Sequence, residues 1–75
     1  MENEGQKVKW MGAQPIHCEF CLTKFKKDGF FYDMRIGPGL PWGLACESCF
    51  HQQGGELGVG KAQKYSVRTL MKVAG

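Results

Sequence analysis

Two Cys-x-x-Cys pairs constrain the fold of this chain more than any other feature of its sequence. The pairs are Cys18 with Cys21 and Cys46 with Cys49, and together they contain all four cysteines. A two-residue gap lets both thiolates of a pair point at one cation from a tight turn. Two such turns place four sulfurs at the corners of a tetrahedron, the geometry of a closed structural Zn²⁺ site. The spacing therefore predicts one zinc ion held by all four cysteines.

The length of the chain explains why it needs such a site. Its 75 residues allow one domain. A domain of this size buries only about 60% of the surface that its unfolded chain exposes, so many depend on a metal or on disulfides. We expect residues 1–6 to be disordered and residues 7–75 to form a single zinc-binding domain. Its zinc core would span 16–54, and a basic, glycine-containing segment would span 55–75.

Disulfides are the alternative use of the four cysteines, and they require an oxidising compartment. The polar N-terminal segment has no apolar core of the kind that a signal peptide requires. No apolar run in the sequence is long enough to cross a bilayer. These features predict a cytoplasmic protein with no membrane partner, in which paired cysteines bind metal.

Two further possibilities concern the metal and its ligands. Four thiolates also bind iron in rubredoxin-like sites, where glycine usually follows the second cysteine of each pair. Leu22 and Phe50 stand at those positions, which favours zinc over iron. His17 and His51 lie close enough to the pairs to replace a cysteine, although four sulfurs already complete the coordination sphere.

The sequence argues against catalysis. A catalytic zinc keeps one coordination position open, whereas four cysteines would fill the sphere, and no acidic residue stands in a recognisable general-base context. Residues 55–61 match G-x-x-x-x-G-K, the start of a P-loop, but Ala62 occupies the position where Ser or Thr would bind Mg²⁺. The chain is also too short for a nucleotide-binding sheet. We therefore expect a protein that is not an enzyme and has no nucleotide cofactor.

The segment between the two cysteine pairs predicts a β-hairpin. Residues 29–36 and 42–45 read as strands separated by a Gly-Pro-Gly break, and residues 47–53 read as a short helix. Residues 65–73 fit either a helix or a strand, and a short strand is predicted around 8–10. The fold class is therefore a small, mainly β, metal-stabilised domain. Its element order matches zinc ribbons and treble clefs, and the helix after the second pair favours the treble clef.

Three consecutive aromatic residues lie on the first predicted strand. Phe30 and Tyr32 must point to one side of it and Phe31 to the other, because side chains alternate along a strand. One set is therefore either covered by the C-terminal segment or exposed. We expect the C-terminal segment to cover it.

The charge of the chain limits the argument for nucleic-acid binding. The formal net charge is +3, but four deprotonated cysteines and one Zn²⁺ change it to +3 − 4 + 2 = +1. The distribution is asymmetric, because residues 61–75 contain four basic residues and no acidic one. The candidate phosphate-binding residues are Lys61, Lys64, Arg68 and Lys72, together with Lys24, Lys26 and Lys27 around Phe25. DNA or RNA is the first predicted partner, and another protein is the alternative.

The stretches Pro41–Cys49 and Leu57–Tyr65 resemble small zinc-ribbon proteins encoded by tailed bacteriophages. Those proteins pair an early Cys-x-x-Cys with G-P-W-x-x-x-C-x-x-C and a later G-x-G-x-G-K-G-Q-K-Y. This chain departs from the pattern at Leu40–Pro41 and at Ala62. The resemblance implies zinc at the four cysteines and an accessory role in an infected bacterial cytoplasm, with a host or phage protein as a possible partner. It implies no particular activity.

Overall fold

The computed structural model describes residues 8–35, 39–58 and 60–75, so the predicted disorder of residues 1–6 lies outside the described residues. The described elements form a mainly β domain with one four-stranded antiparallel sheet and one short helix, in the strand order β2-β1-β3-β4. No helix among these residues is long and apolar enough to cross a membrane. The elements are β1 (Phe30–Arg35), β2 (Trp42–Ala45), α1 (Glu47–Gln52), β3 (Ala62–Ser66) and β4 (Lys72–Ala74).

The hairpin predicted from the sequence is present as β1 and β2. Tyr32 pairs with Ala45 at one end and Arg35 with Trp42 at the other. Because β2 ends one residue before Cys46, the hairpin returns the chain to the first cysteine pair. The predicted helix over 47–53 is found as α1, with Cys46 as its N-cap residue.

The C-terminal segment forms strands, which resolves the ambiguity over residues 65–73. β3 starts at Ala62 and pairs with the second edge of β1, with Phe31 opposite Tyr65. A turn that includes Leu70 in the left-handed region (φ 63°) then leads into β4. The free edge of β1 decides the outcome, because pairing with it satisfies a row of backbone groups that a helix would leave open. The strand predicted around residues 8–10 is reduced to a bridge between Lys9 and Met71.

The aromatic residues of β1 divide between the two faces of the sheet. Tyr32 stacks on Phe50 of α1 with ring centroids 4.0 Å apart, in the cluster that also contains Cys18 and Cys49. Phe31 lies on the opposite face and stacks on Tyr65 at 5.3 Å. The expectation that the C-terminal segment covers one set is therefore confirmed for Phe31. Phe30 is the exception, because 43% of it remains exposed.

We expect the two adjacent phenylalanines to differ sharply in their contribution to stability. Phe31 is fully buried, so Phe31→Ala should lower the free energy of unfolding by about 3–5 kcal/mol. Phe30→Ala is the matched control and should cost much less, because the Phe30 ring is partly in water. Denaturant unfolding of the metal-loaded protein measures both losses. Equal losses would contradict the packing described for the two faces.

Candidate metal centre

The four cysteine sulfurs form a compact cluster. All four Sγ atoms lie within 4.8 Å of one another, and those of Cys21 and Cys46 are 3.8 Å apart. No disulfide joins them. With a Zn–S bond of about 2.3 Å, a tetrahedral site places its sulfurs about 3.8 Å apart. The cluster therefore has the donor set and the dimensions to hold one metal ion.

The first cysteine pair lies on a tight hydrogen-bonded turn. Cys18 Sγ accepts backbone N–H groups from Phe20 at 3.3 Å and from Cys21 at 3.5 Å. The Leu22 N–H bonds the Cys18 carbonyl at 2.9 Å. Leu22 adopts a φ of 66°, a left-handed conformation that costs a leucine about 1 kcal/mol. The turn thus forms without the glycine usual at this position, so the absence of glycine is a weaker argument against iron than the sequence suggested.

The second pair takes its position from β2 and α1. Cys46 lies between them in an extended conformation, and Cys49 occupies the first turn of the helix. The Glu19 N–H bonds the Leu44 carbonyl at 2.8 Å, which ties the first cysteine turn to β2 two residues before Cys46. This backbone bond and the hairpin together set the distance between the two pairs.

The environments of the thiols differ in their effect on ionisation. The Thr23 hydroxyl lies 3.2 Å from Cys21 Sγ, and its hydrogen bond is the main cause that lowers the pKa of Cys21 to about 6. Burial raises the pKa of Cys18, but hydrogen bonds, chiefly from the backbone of Cys21 and Cys46, outweigh it and lower this pKa. Burial and the neighbouring sulfurs raise the pKa of Cys49 to about 12. A bound cation removes this conflict, because its positive charge stabilises all four thiolates together.

Neither candidate histidine belongs to the metal-binding group found among the described residues. His17 Nδ1 lies 3.3 Å from the carbonyl oxygen of Cys18. His51 Nε2 lies 3.6 Å from a carboxylate oxygen of Glu47, one helical turn earlier. Both histidines therefore contact oxygen atoms rather than the sulfur cluster. The contact of the Thr23 hydroxyl with Cys21 was not predicted from the sequence. Its position two residues after Cys21 was the available signal.

The basic residues predicted from the sequence separate into two regions. Lys24 and Lys26 line a groove with Phe30, and Lys64 Nζ lies 4.4 Å from the centre of the Phe30 ring. The Val67 N–H bonds the Gly29 carbonyl at 3.0 Å, which places the turn with Arg68 beside the start of β1. This turn and the loop with Lys27 therefore lie at the same end of the sheet.

The two remaining basic residues lie further from Phe30 in the sheet. Lys61 precedes the opposite end of β3 and forms an ion pair with Glu56 at 3.2 Å. Lys72 is the first residue of β4 and pairs with Tyr65, so it lies at the Phe30 end of the sheet but two strands away from β1. The structure thus brings together only part of the basic set.

Comparisons with known proteins do not place this chain in a family. No protein-family model matches the chain, and neither a curated protein nor a solved structure shows significant similarity to it. The function of the site must therefore be inferred from its own residues.

We expect the fold to depend on the metal. Removal of the ion should abolish the near-ultraviolet circular dichroism of the aromatic cluster, because four unscreened sulfurs then crowd a small core. Trp10 is the useful reporter, since it packs edge-on against Phe31 at 5.5 Å, whereas Trp42 is 38% exposed. Cys49→Ala should lose the bound ion in native mass spectrometry. Its neighbour Ser48→Ala should retain it. An unchanged aromatic signal after chelation would contradict this dependence.

Thr23→Val should make metal binding more sensitive to acid. The Cys21 thiolate persists down to about pH 6 because its pKa is lowered. Loss of the hydroxyl raises this pKa, so protons compete with the metal at higher pH. Zinc affinity should fall about tenfold near neutral pH, and release should start at a higher pH than in the unsubstituted protein.

A zinc-indicator titration across pH measures this effect. Thr69→Val, in the turn before β4, is the control, because the Thr69 hydroxyl bonds only the Met71 N–H among the described contacts. Coincident release curves for the Thr23→Val and unsubstituted proteins would remove the role assigned to the hydroxyl.

Proposed function

We propose that this chain is a non-enzymatic zinc-binding module of the treble-clef type. The single observation that supports it is the sulfur cluster, with all four Sγ atoms within 4.8 Å of one another. The order of elements also supports it, because a cysteine turn is followed by a hairpin and then by a helix whose start holds the second pair. One Zn²⁺ on four thiolates leaves no open position for substrate or water. The ion therefore has a structural task.

We further propose that the module binds DNA or RNA in a reducing bacterial cytoplasm, as the resemblance to phage-encoded proteins implies. The supporting observation is the gathering of basic residues around one exposed aromatic ring, Phe30. Lys24, Lys26 and Lys64 belong to this surface, which we call the Phe30 face. Basic side chains beside an aromatic ring are typical of surfaces that bind nucleic acid through phosphates and bases.

The net charge of the metal-loaded protein is too small to attract nucleic acid by itself. The proposal therefore depends on where the basic residues cluster. Lys61 is left out of the cluster because it forms an ion pair with Glu56. The residues proposed to contact phosphates are those beside Phe30 or in the turns next to the start of β1: Lys24, Lys26, Lys27, Lys64 and Arg68.

A protein-interaction module is the second candidate function. Met11 is 91% exposed and Ile16 is 61% exposed, and both lie on the segment that precedes the first cysteine pair. Exposed apolar side chains of this kind can contact a protein partner. A host or phage protein would be that partner.

A salt titration of oligonucleotide binding tests the nucleic-acid proposal. If phosphates contact the lysines, the logarithm of the binding constant should fall linearly with the logarithm of salt concentration. Lys64→Gln should reduce the steepness of that line by about 0.7 for single-stranded probes, the value for one phosphate contact. Lys61→Gln is the matched control and should leave the slope unchanged. Absence of binding to any DNA or RNA probe at low salt would reject the proposal in favour of a protein partner.

A further inference from the structure

A groove of about 360 Å³ lies between the loop after the first cysteine pair and the start of α1. Its volume is near the lower end of the range for small-ligand sites, about 300–1,000 Å³. The residues that line it share a mixed character, with aromatic rings, lysines and a few oxygen-bearing side chains. They include Phe25, Phe30, Lys24, Lys26, Glu47 and Ser48.

Phe30 is the feature that distinguishes this groove from an ordinary surface depression. Its neighbours Phe31 and Tyr32 are buried to 0% and 3% exposure, whereas Phe30 retains 43%. The ring is therefore available to a ligand from the groove. Lys64 holds its ammonium group 4.4 Å from the centre of the same ring. Because this ammonium group lies over one face of the ring, a base can stack only on the other face, with the positive charge of Lys64 close by.

Basic and acidic residues line different sides of the groove. The loop contributes Lys24 and Lys26, while the start of the helix contributes Glu47, next to Cys46. The Glu47 carboxylate also lies 3.6 Å from His51 Nε2. A ligand that fits must present negative charge toward the lysines, a flat apolar surface toward Phe30 and hydrogen-bond donors toward Glu47. A nucleotide with an unpaired base has these three properties in one molecule.

We propose that the groove binds one unpaired nucleobase, stacked on Phe30, with the adjoining phosphates on Lys24, Lys26 and Lys64. This inference rests on the proposed nucleic-acid function and narrows it to single strands. Base pairing in a duplex occupies the edges of the bases, and stacking covers their faces, so a paired base cannot enter the groove. Glu47 accepts a hydrogen bond from an N–H group on the free base edge.

An acidic peptide fits the same groove less well. Its carboxylates would suit the lysines, but it offers no planar group to the Phe30 ring. Charge does not separate the two ligands, because phosphates and carboxylates both suit the lysines. The groove therefore favours a nucleotide over an acidic peptide on shape, through stacking on the Phe30 ring.

Fluorescence anisotropy with the full-length, zinc-loaded protein tests the inference. The probes are one labelled mixed sequence as single-stranded DNA, as single-stranded RNA and as duplex DNA, with a labelled oligo-glutamate peptide alongside. Single strands should bind more tightly than the duplex and the peptide. The RNA and DNA arms show which sugar the site accepts.

Phe30→Ala should weaken single-strand binding by between about 5-fold and about 100-fold, because it removes one stacking contact. The slope of the salt dependence should stay the same, since the lysines remain. Phe30→Tyr should restore the affinity. Leu40→Ala, at an exposed residue on the β1–β2 connection, is the control and should bind normally. Zinc content and circular dichroism confirm that each variant is folded.

The outcomes separate this inference from the function on which it rests. If no oligonucleotide binds, the nucleic-acid function itself fails. If single strands bind but Phe30→Ala leaves their affinity unchanged, only the base-stacking site fails. Equal affinity for duplex and single strand, or tighter binding of the oligo-glutamate peptide, would also overturn the inference.

Discussion

The close approach of four sulfurs in a small core is the constraint on which the rest of this structure depends. All four Sγ atoms fall within 4.8 Å, and burial, together with the neighbouring sulfurs, raises the pKa of Cys49 to about 12. A divalent ion would stabilise all four thiolates and cross-link the two cysteine pairs. The hydrogen bonds to Cys18 and Cys21 then distribute the remaining negative charge over the backbone and the Thr23 hydroxyl.

The two faces of the sheet have different structural roles. One face packs Tyr32 and Met34 of β1 against the helix that holds Cys49, so it supports the metal centre. The other face buries Phe31 under Tyr65 and Val67, so it anchors the C-terminal strands. Each cluster is too small to stabilise a domain of this size independently. The four-cysteine site and the two clusters therefore depend on one another, and β1 is the strand that contributes to both clusters.

Local patterns were reliable wherever short-range geometry decides the structure. The spacing of the cysteines, the Gly-Pro-Gly break and the aromatic strand predicted the metal cluster and the hairpin, because turns and alternation act over a few residues. The helix after Cys46 was also predicted, with the observed start and an end one residue too late. Residues 65–73 could not be assigned in this way. Their pattern suited a helix as well as a strand, and only the unpaired edge of β1 distinguished the two.

The surface residues also divide into features that the sequence predicted and features that only the fold decided. The list of basic residues was evident from composition, but their grouping was not, because it depends on the hydrogen bond between Val67 and Gly29 and on the pairing of β3 with β1. The position of Phe30 depends in turn on where α1 starts and where β3 ends, because the first residues of α1 line the groove beside it and Ser66 pairs with it.

The amino-acid order alone settled that this chain has two cysteine pairs with metal-ligand spacing and a hairpin between them, since spacing and turn chemistry are local properties. Long-range strand pairing settled which aromatic ring faces water and which lysines surround it. Those contacts join residues far apart in the chain, and no short-range pattern encodes them.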